Sequence, residues 1–170
     1  SEKTALLKGA PTVTARQIRL PLAKPKPREH WEEQLKSGGF HHQLAKAMLA
    51  KLDATREISA EVNYPVSVWK FSNDLAMVFL AGEVVVDYSV RLKRELDWSR
   101  LWLNAWANDM PGYIPSRRIL REGGYEADFS QVYYEHPGRY DPAVEDQLVN
   151  TIREMVGTEF EAKPGQTPSP

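Results

Sequence analysis

The sequence predicts an α/β fold in which a mixed sheet carries flanking helices. Three observations support this expectation. Residues 75–81 and 101–107 are short apolar runs of the kind that form buried strands, residues 84–96 between them have helical spacing, and a further amphipathic pattern covers 141–157. Because a strand, a helix and a strand in succession normally form a right-handed parallel crossover, part of the sheet is expected to be parallel.

The elements of the first half follow from local patterns. Residues 11–22 alternate apolar and polar side chains imperfectly and contain β-branched residues, which indicates an edge strand. Two prolines among the charged residues 24–30 indicate an extended connection, with a helix starting near Arg28. Residues 40–52 place their apolar side chains at helical spacing and predict an amphipathic helix.

The central elements are two neighbouring strands and the crossover. Residues 58–70 alternate apolar and polar side chains, and the turn-forming residues 72–74 follow them. Residues 75–81 are apolar throughout, as expected of a central strand covered on both faces. The helix 84–96 and the strand 101–107 complete the crossover, and the next segment is neither a good helix nor a good strand.

The end of the chain predicts one more helix and a tail. Asp141 can cap this helix, Pro142 suits its first turn, and apolar residues repeat every four positions to residue 157. The last residues are rich in Pro, Ser and Gly, which is typical of disorder. We therefore expect a folded region at 1–157 and a disordered tail at 158–170.

Composition limits the classes of protein to which the chain can belong. Its 170 residues suffice for one core, and 22 basic side chains nearly balance 23 acidic ones. A chain with this balance has no global field that attracts nucleic acid or an anionic membrane. It has no cysteine, which excludes disulfides, thiolate metal sites and a cysteine nucleophile. No apolar run approaches the ~20 residues of a transmembrane helix.

Glu83 is the first candidate for chemistry. It lies just past the carboxyl end of a predicted parallel strand, where open α/β sheets bind ligands. Because its neighbours are apolar, burial of its carboxylate requires a cation, a helix N-terminus or a hydrogen-bond donor. Glu83 is therefore either a cap for the following helix, or a metal ligand or general base.

Two tyrosines of segment 108–126 are the other candidates. Tyr113 lies between a Pro-Gly turn and Pro115, which hold its ring in one orientation, and Tyr125 follows a Gly-Gly pair. Each is either a packed residue with its hydroxyl in water, or a metal ligand or oxyanion donor. The segment also contains three arginines that are either surface residues or an anion clamp: Arg117, Arg118 and Arg121.

The histidines do not form a recognisable metal motif in the sequence. His41 and His42 are adjacent, so on a helix they point about 100° apart and cannot easily share one ion. There is no HExxH motif and no histidine pair at i and i+4. His30 and His136 stand alone, and we expect all four histidines to be surface residues.

Three motifs carry a resemblance to a known family. They are GEVVVDY at 82–88, NDMPGYIPSRR at 108–118 and GGYE at 123–126. The motifs resemble those of the neutral/alkaline, non-lysosomal ceramidases, in particular their shorter bacterial homologues. The resemblance is closest over 65–128, extends over 11–157, and covers only the C-terminal part of that family's catalytic domain.

The resemblance implies an activity and three site residues. Members of the family are zinc amidohydrolases that cleave ceramide to a sphingoid base and a fatty acid, and two histidines, a glutamate and a tyrosine hold the zinc. Glu83 matches the glutamate ligand and Tyr113 the tyrosine ligand. Tyr125 matches a tyrosine that contacts the substrate. The resemblance therefore implies a Zn²⁺ bound by Glu83 and Tyr113, with Tyr113 and Tyr125 acting in catalysis.

The resemblance also implies that the chain supplies half of a site. In the family, the two histidine ligands lie upstream of the matching region, so the chain is expected to be a partial domain that is inactive alone and partners the missing N-terminal part. Pro111-Gly112 stands where classical members have Thr-His, which implies a different substrate preference. Family members are commonly secreted or periplasmic. The alternative is a non-catalytic α/β binding module with an Arg/Tyr-rich ligand loop.

Overall fold

The computed structural model describes residues 6–7, 9–163 and 165 and contains strands in two sheets. In chain order the strands are β1 (Thr12–Pro21), β2 (Glu61–Phe71), β3 (Leu75–Leu80), β4 (Glu83–Val84), β5 (Leu101–Asn104) and β6 (Tyr113–Ile114). The main sheet has the order β1-β2-β3-β5, antiparallel except for the parallel pair β3 and β5. Strands β4 and β6 form a separate parallel pair.

The helices contribute to two separate hydrophobic clusters. They are α1 (Arg28–Gln34), α2 (Gly39–Thr55), α3 (Val86–Glu95), α4 (Arg117–Glu122) and α5 (Val144–Val156). The apolar side chains of α3 and α5 join those of the four strands in one core, whereas α1 and α2 enclose a smaller cluster around Trp31. No helix of the described residues is both long and apolar enough to cross a membrane.

Several sequence predictions are confirmed. The fold is mixed α/β with a mixed four-stranded sheet, and β1 is an edge strand that pairs only with β2 within it. The crossover from β3 through α3 to β5 gives the expected parallel pair. The four-residue repeat of α5 points into the core, where its members are fully buried: Val144, Leu148, Ile152 and Val156.

Strand β3 differs from its prediction because only one of its faces is covered. Ala76, Val78 and Leu80 are buried, whereas Met77 and Phe79 on the opposite face are partly exposed. Successive residues of a strand point to opposite faces, and α3 and α5 contribute to the core on one face only. An uninterrupted apolar run therefore did not mean burial on both sides.

Three other boundaries were wrong. The strand predicted at 101–107 ends at Asn104, because the backbone turns at Trp106 with a positive φ of 60°. The segment 108–126, expected to be irregular, contains β6 and α4. In the segment 158–170 expected to be a disordered tail, Thr158–Phe160 form a short 3₁₀ helix whose Phe160 side chain is fully buried, whereas residues 164 and 166–170 lie outside the described residues.

Candidate functional site

The backbone of the β4 and β6 pair sets Glu83 opposite Tyr113. These two residues are direct partners in the parallel register. The Glu83 amide donates to the Gly112 carbonyl at 2.9 Å, and the Gly82 amide donates to the Asp109 carbonyl at 3.0 Å. Two candidates that are distant in sequence are thereby held side by side at the end of β3.

Two glycines make this close approach possible. Gly82 has a φ of 70°, and a Cβ atom there would lie 2.3 Å from the Gly112 carbonyl oxygen. Gly112 has a φ of 107°, and a Cβ atom there would lie 2.7 Å from the ring of Tyr134. A side chain at either position meets both the strain of the left-handed region and a steric overlap. The geometry of the site therefore depends on both glycines.

The side chains of Glu83 and Tyr113 interact directly. The carboxylate of Glu83 acts as a hydrogen-bond acceptor for the phenol and, with partial desolvation, raises the pKa of Tyr113 to about 12. Glu83 does not cap α3, because the N-cap of that helix is Val85. The partner of the Glu83 carboxylate is thus a phenol, and the capping interpretation does not describe its position.

Tyr125 joins the pair from the segment after α4. Its ring meets the ring of Tyr113 edge to face, with 5.6 Å between the centroids, and half of its surface is exposed. The structure therefore brings together all three residues that the sequence singled out: Glu83, Tyr113 and Tyr125.

The structure adds a third tyrosine that sequence reasoning missed. Tyr134 lies under Gly112, and burial together with the nearby Glu83 and Tyr125 raises its pKa. It belongs to the 3₁₀ helix Phe129–Tyr134. No spacing or motif around Tyr134 indicates this position, because it follows from the packing of that helix against the Gly112 turn.

A cleft opens beside these residues. Its volume is about 300 Å³, and its lining includes Glu83, Tyr113, Trp106, Arg118 and Glu126. Trp106 is 65% exposed. The cleft therefore combines two acidic groups, one basic group and an exposed aromatic surface.

Two of the three arginines of this segment have acidic partners within the chain. Arg118 pairs with Asp87 at 2.8 Å and Glu122 at 2.7 Å, and Arg117 pairs with Asp146. The hydrogen bond from Arg118 lowers the pKa of Asp87. These contacts join α4 to α3 and α5, which is the arrangement expected of surface ion pairs and not of a clamp aimed at a ligand.

None of the four histidines lines the cleft beside Glu83 and Tyr113, and one prediction about them was wrong. His136 is 8% exposed, not a surface residue, and its Nδ1 lies 2.7 Å from Oε1 of Gln131. Burial lowers its pKa to about 4. His41 and His42 are exposed and His30 is half-buried.

The donor set fits part of a zinc site. Glu83 and Tyr113 present two oxygen donors, whereas a catalytic zinc normally has three protein ligands and a water. Within the described part of the chain, no three or more His, Cys, Asp or Glu residues form a group that could hold a metal ion. Glu83 and Tyr113 therefore account for two of the ligands that such a site has.

Comparisons with known proteins returned no relative. No family model, curated protein or solved structure matches the chain. The resemblance to the ceramidases therefore stays a prediction based on the three motifs.

Proposed function

We propose that the chain is the C-terminal part of a zinc-dependent amidohydrolase that cleaves an N-acyl amide, with a ceramide-like lipid as its substrate. The observation that supports this most directly is the pairing of Glu83 with Tyr113 across two parallel strands. The upstream part of the same domain supplies two histidine ligands. The chain alone holds half of the site and is inactive.

The Glu83 and Tyr113 pair suits a divalent cation. The Glu83 carboxylate accepts a hydrogen bond from the Tyr113 phenol, which keeps its proton. Glu83 and Tyr113 would hold the cation as ligands, and the phenol would lose its proton to solvent when the cation binds. Zinc accepts oxygen donors as well as imidazole nitrogen, and when bound it lowers the pKa of its water to about 7. Glu83 would then supply the anionic ligand. A bound cation would favour the deprotonated form of Tyr113 and so lower the pKa that Glu83 raises.

Tyr125 acts on the substrate side. Its ring is half exposed and lies against the Tyr113 ring, and we assign its hydroxyl as the hydrogen-bond donor to the carbonyl of an amide bound beside Tyr113. That bond strengthens as negative charge develops on the oxygen. The exposed ring of Trp106 offers an apolar surface to the acyl or sphingoid part of the substrate.

The alternative, a non-catalytic module that binds an anion through its arginines, has less support. Arg117 and Arg118 already have carboxylate partners within the chain. An anion must compete with Asp146 and Asp87 for these guanidinium groups, which reduces the affinity that it can gain.

The first test measures zinc in the purified chain after dialysis. If the chain holds only half of the site, the dialysed chain is expected to retain no zinc. At high zinc concentration, the ultraviolet absorption of tyrosinate is expected to rise as the Tyr113 phenol loses its proton. Tyr113→Phe and Glu83→Gln remove this change, whereas Tyr133→Phe, at a 51% exposed position, retains it. Absence of any metal-dependent change in the wild-type chain contradicts the proposed ligands. A full equivalent of retained zinc contradicts the half-site.

The second test measures hydrolysis. A protein that joins the chain to its upstream coding region is expected to cleave a short-chain fluorescent ceramide. Loss of a residue that only supports a metal ligand typically lowers metal affinity or activity 10–100-fold. Because Glu83 and Tyr113 are proposed as direct ligands, Glu83→Gln or Tyr113→Phe is expected to lower the rate of hydrolysis at least ~100-fold. Unchanged hydrolysis in both variants refutes the assignment of these residues.

A further inference from the structure

One face of the main sheet has no covering layer among the described residues. Direct partners in neighbouring strands share a face, so the register places Val13, Trp69, Met77 and Trp102 in one row across all four strands. Phe79 lies in the next row and Phe71 in the row before. We call this surface, defined by these six residues, the open face.

The open face is apolar but accessible to water. Trp102 is 57% exposed, Val13 is 55% exposed and Trp69 is 40% exposed. On the opposite face of the same strands, Val66 and Val78 are fully buried in the core. Soluble monomers rarely expose a continuous apolar surface of this kind unless it is a binding surface.

The charge pattern indicates what covers the open face. The other strand residues within the margin of this face are also uncharged: Ala15, Gln17, Pro65, Ser67, Leu75 and Asn104. The charged residues on this side lie at its margin, where Arg19 pairs with Glu61 at 3.2 Å. Two identical uncharged surfaces can face each other without like-charge repulsion, and margins with both signs can pair with each other.

We propose that the open face is covered by the open face of a second copy of this chain. The two sheets pack face to face about 10 Å apart around a two-fold axis, as in other sheet-on-sheet interfaces. Trp69 on the inner strand β2 lies near the middle of each surface and Trp102 lies on the edge strand β5, so each copy brings to the interface the aromatic side chains that contribute most to binding. This inference does not depend on the proposed function.

The size of the open face sets the strength of the dimer. Four strands at ~4.8 Å spacing and about six residues at ~3.3 Å per residue give a patch of roughly 19 by 20 Å. Each copy then contributes roughly 400 Å², or about 800 Å² in total, which is below the ~1,200 Å² of a stable specific interface. The expected dimer is therefore weak and dissociates on dilution.

The test is sedimentation velocity of the full chain over a concentration series. We expect a monomer that converts to a dimer at micromolar or higher concentration. Trp102→Lys and, separately, Val13→Lys put a charge into an interface that has no acidic side chain to pair with it, and each is expected to weaken the dimer at least tenfold. Val90→Lys adds the same charge at a 52% exposed position on α3 and is expected to leave the dimer unchanged.

Circular dichroism checks that the variants fold, and each result bears on the proposal. A dimer lost in both open-face variants and retained in Val90→Lys supports it. A chain that stays monomeric at every concentration overturns it and leaves the face for a different polypeptide. Open-ended association, or a dimer that survives both open-face substitutions, overturns it as well.

Discussion

Gly82→Ala perturbs the candidate site without removing any of its functional groups. Gly82 precedes Glu83, has a φ of 70°, and its amide bonds to the Asp109 carbonyl. A Cβ atom at this position lies 2.3 Å from the carbonyl oxygen of Gly112, a separation that real Cβ atoms essentially never show. The Gly112 oxygen is the acceptor for the Glu83 amide, so relief of the overlap must separate β4 from β6.

The expected cost has two parts. A residue with a Cβ atom in the left-handed region costs roughly 1–2 kcal/mol. Loss of the bond from the Glu83 amide to Gly112 adds about 0.5–1.5 kcal/mol. We therefore expect Gly82→Ala to lower the free energy of unfolding by about 2–3 kcal/mol, which for a domain of this size corresponds to a decrease in Tm of about 4–12 °C.

Urea denaturation followed by circular dichroism measures this cost. The matched control is Gly138→Ala, because a Cβ atom at Gly138 has no neighbour within 4 Å and its φ lies outside the left-handed region. The control is expected to change the free energy of unfolding by less than about 0.5 kcal/mol. If the two variants are equally stable, the close approach of β4 and β6 is refuted as the reason for a glycine at 82.

Three further predictions concern single residues. Burial lowers the pKa of His136 to about 4 in the folded chain, against 6.5 in the unfolded chain, so the free energy of unfolding is highest above pH 6.5 and falls by about 3 kcal/mol as the pH decreases to 4. Urea unfolding across this pH range measures the decrease. An equal decrease in His136→Gln contradicts its assignment to His136. Glu83→Gln is expected to lower the pKa of Tyr113 from about 12 toward 10 in an alkaline absorbance titration, and an unchanged midpoint argues against the contact. Phe160→Ala is expected to cost about 3–5 kcal/mol, since a fully buried ring is removed, whereas a negligible cost in thermal unfolding supports the predicted disordered tail.

The candidate site was predicted in part because its residues occur in local patterns. The signals were the place of Glu83 just past a predicted strand, the Pro-Gly turn before Tyr113 and the Gly-Gly pair before Tyr125. Their mutual distances were not predictable from these patterns, since they depend on the register of β4 with β6. Tyr134 was missed for the same reason: its contact with Gly112 is made by a segment with no distinguishing motif.

Patterns along the chain are sufficient to predict the elements whose form depends on sequence neighbours. The repeat of α5, the edge strand β1 and the parallel pair joined through α3 follow from periodicity, which reports how each residue is oriented within its own element. Tertiary structure alone decided which surfaces are covered. The burial of His136 and Phe160 and the exposure of Trp102 depend on which segments pack together, and a one-dimensional pattern of apolar residues does not contain that information.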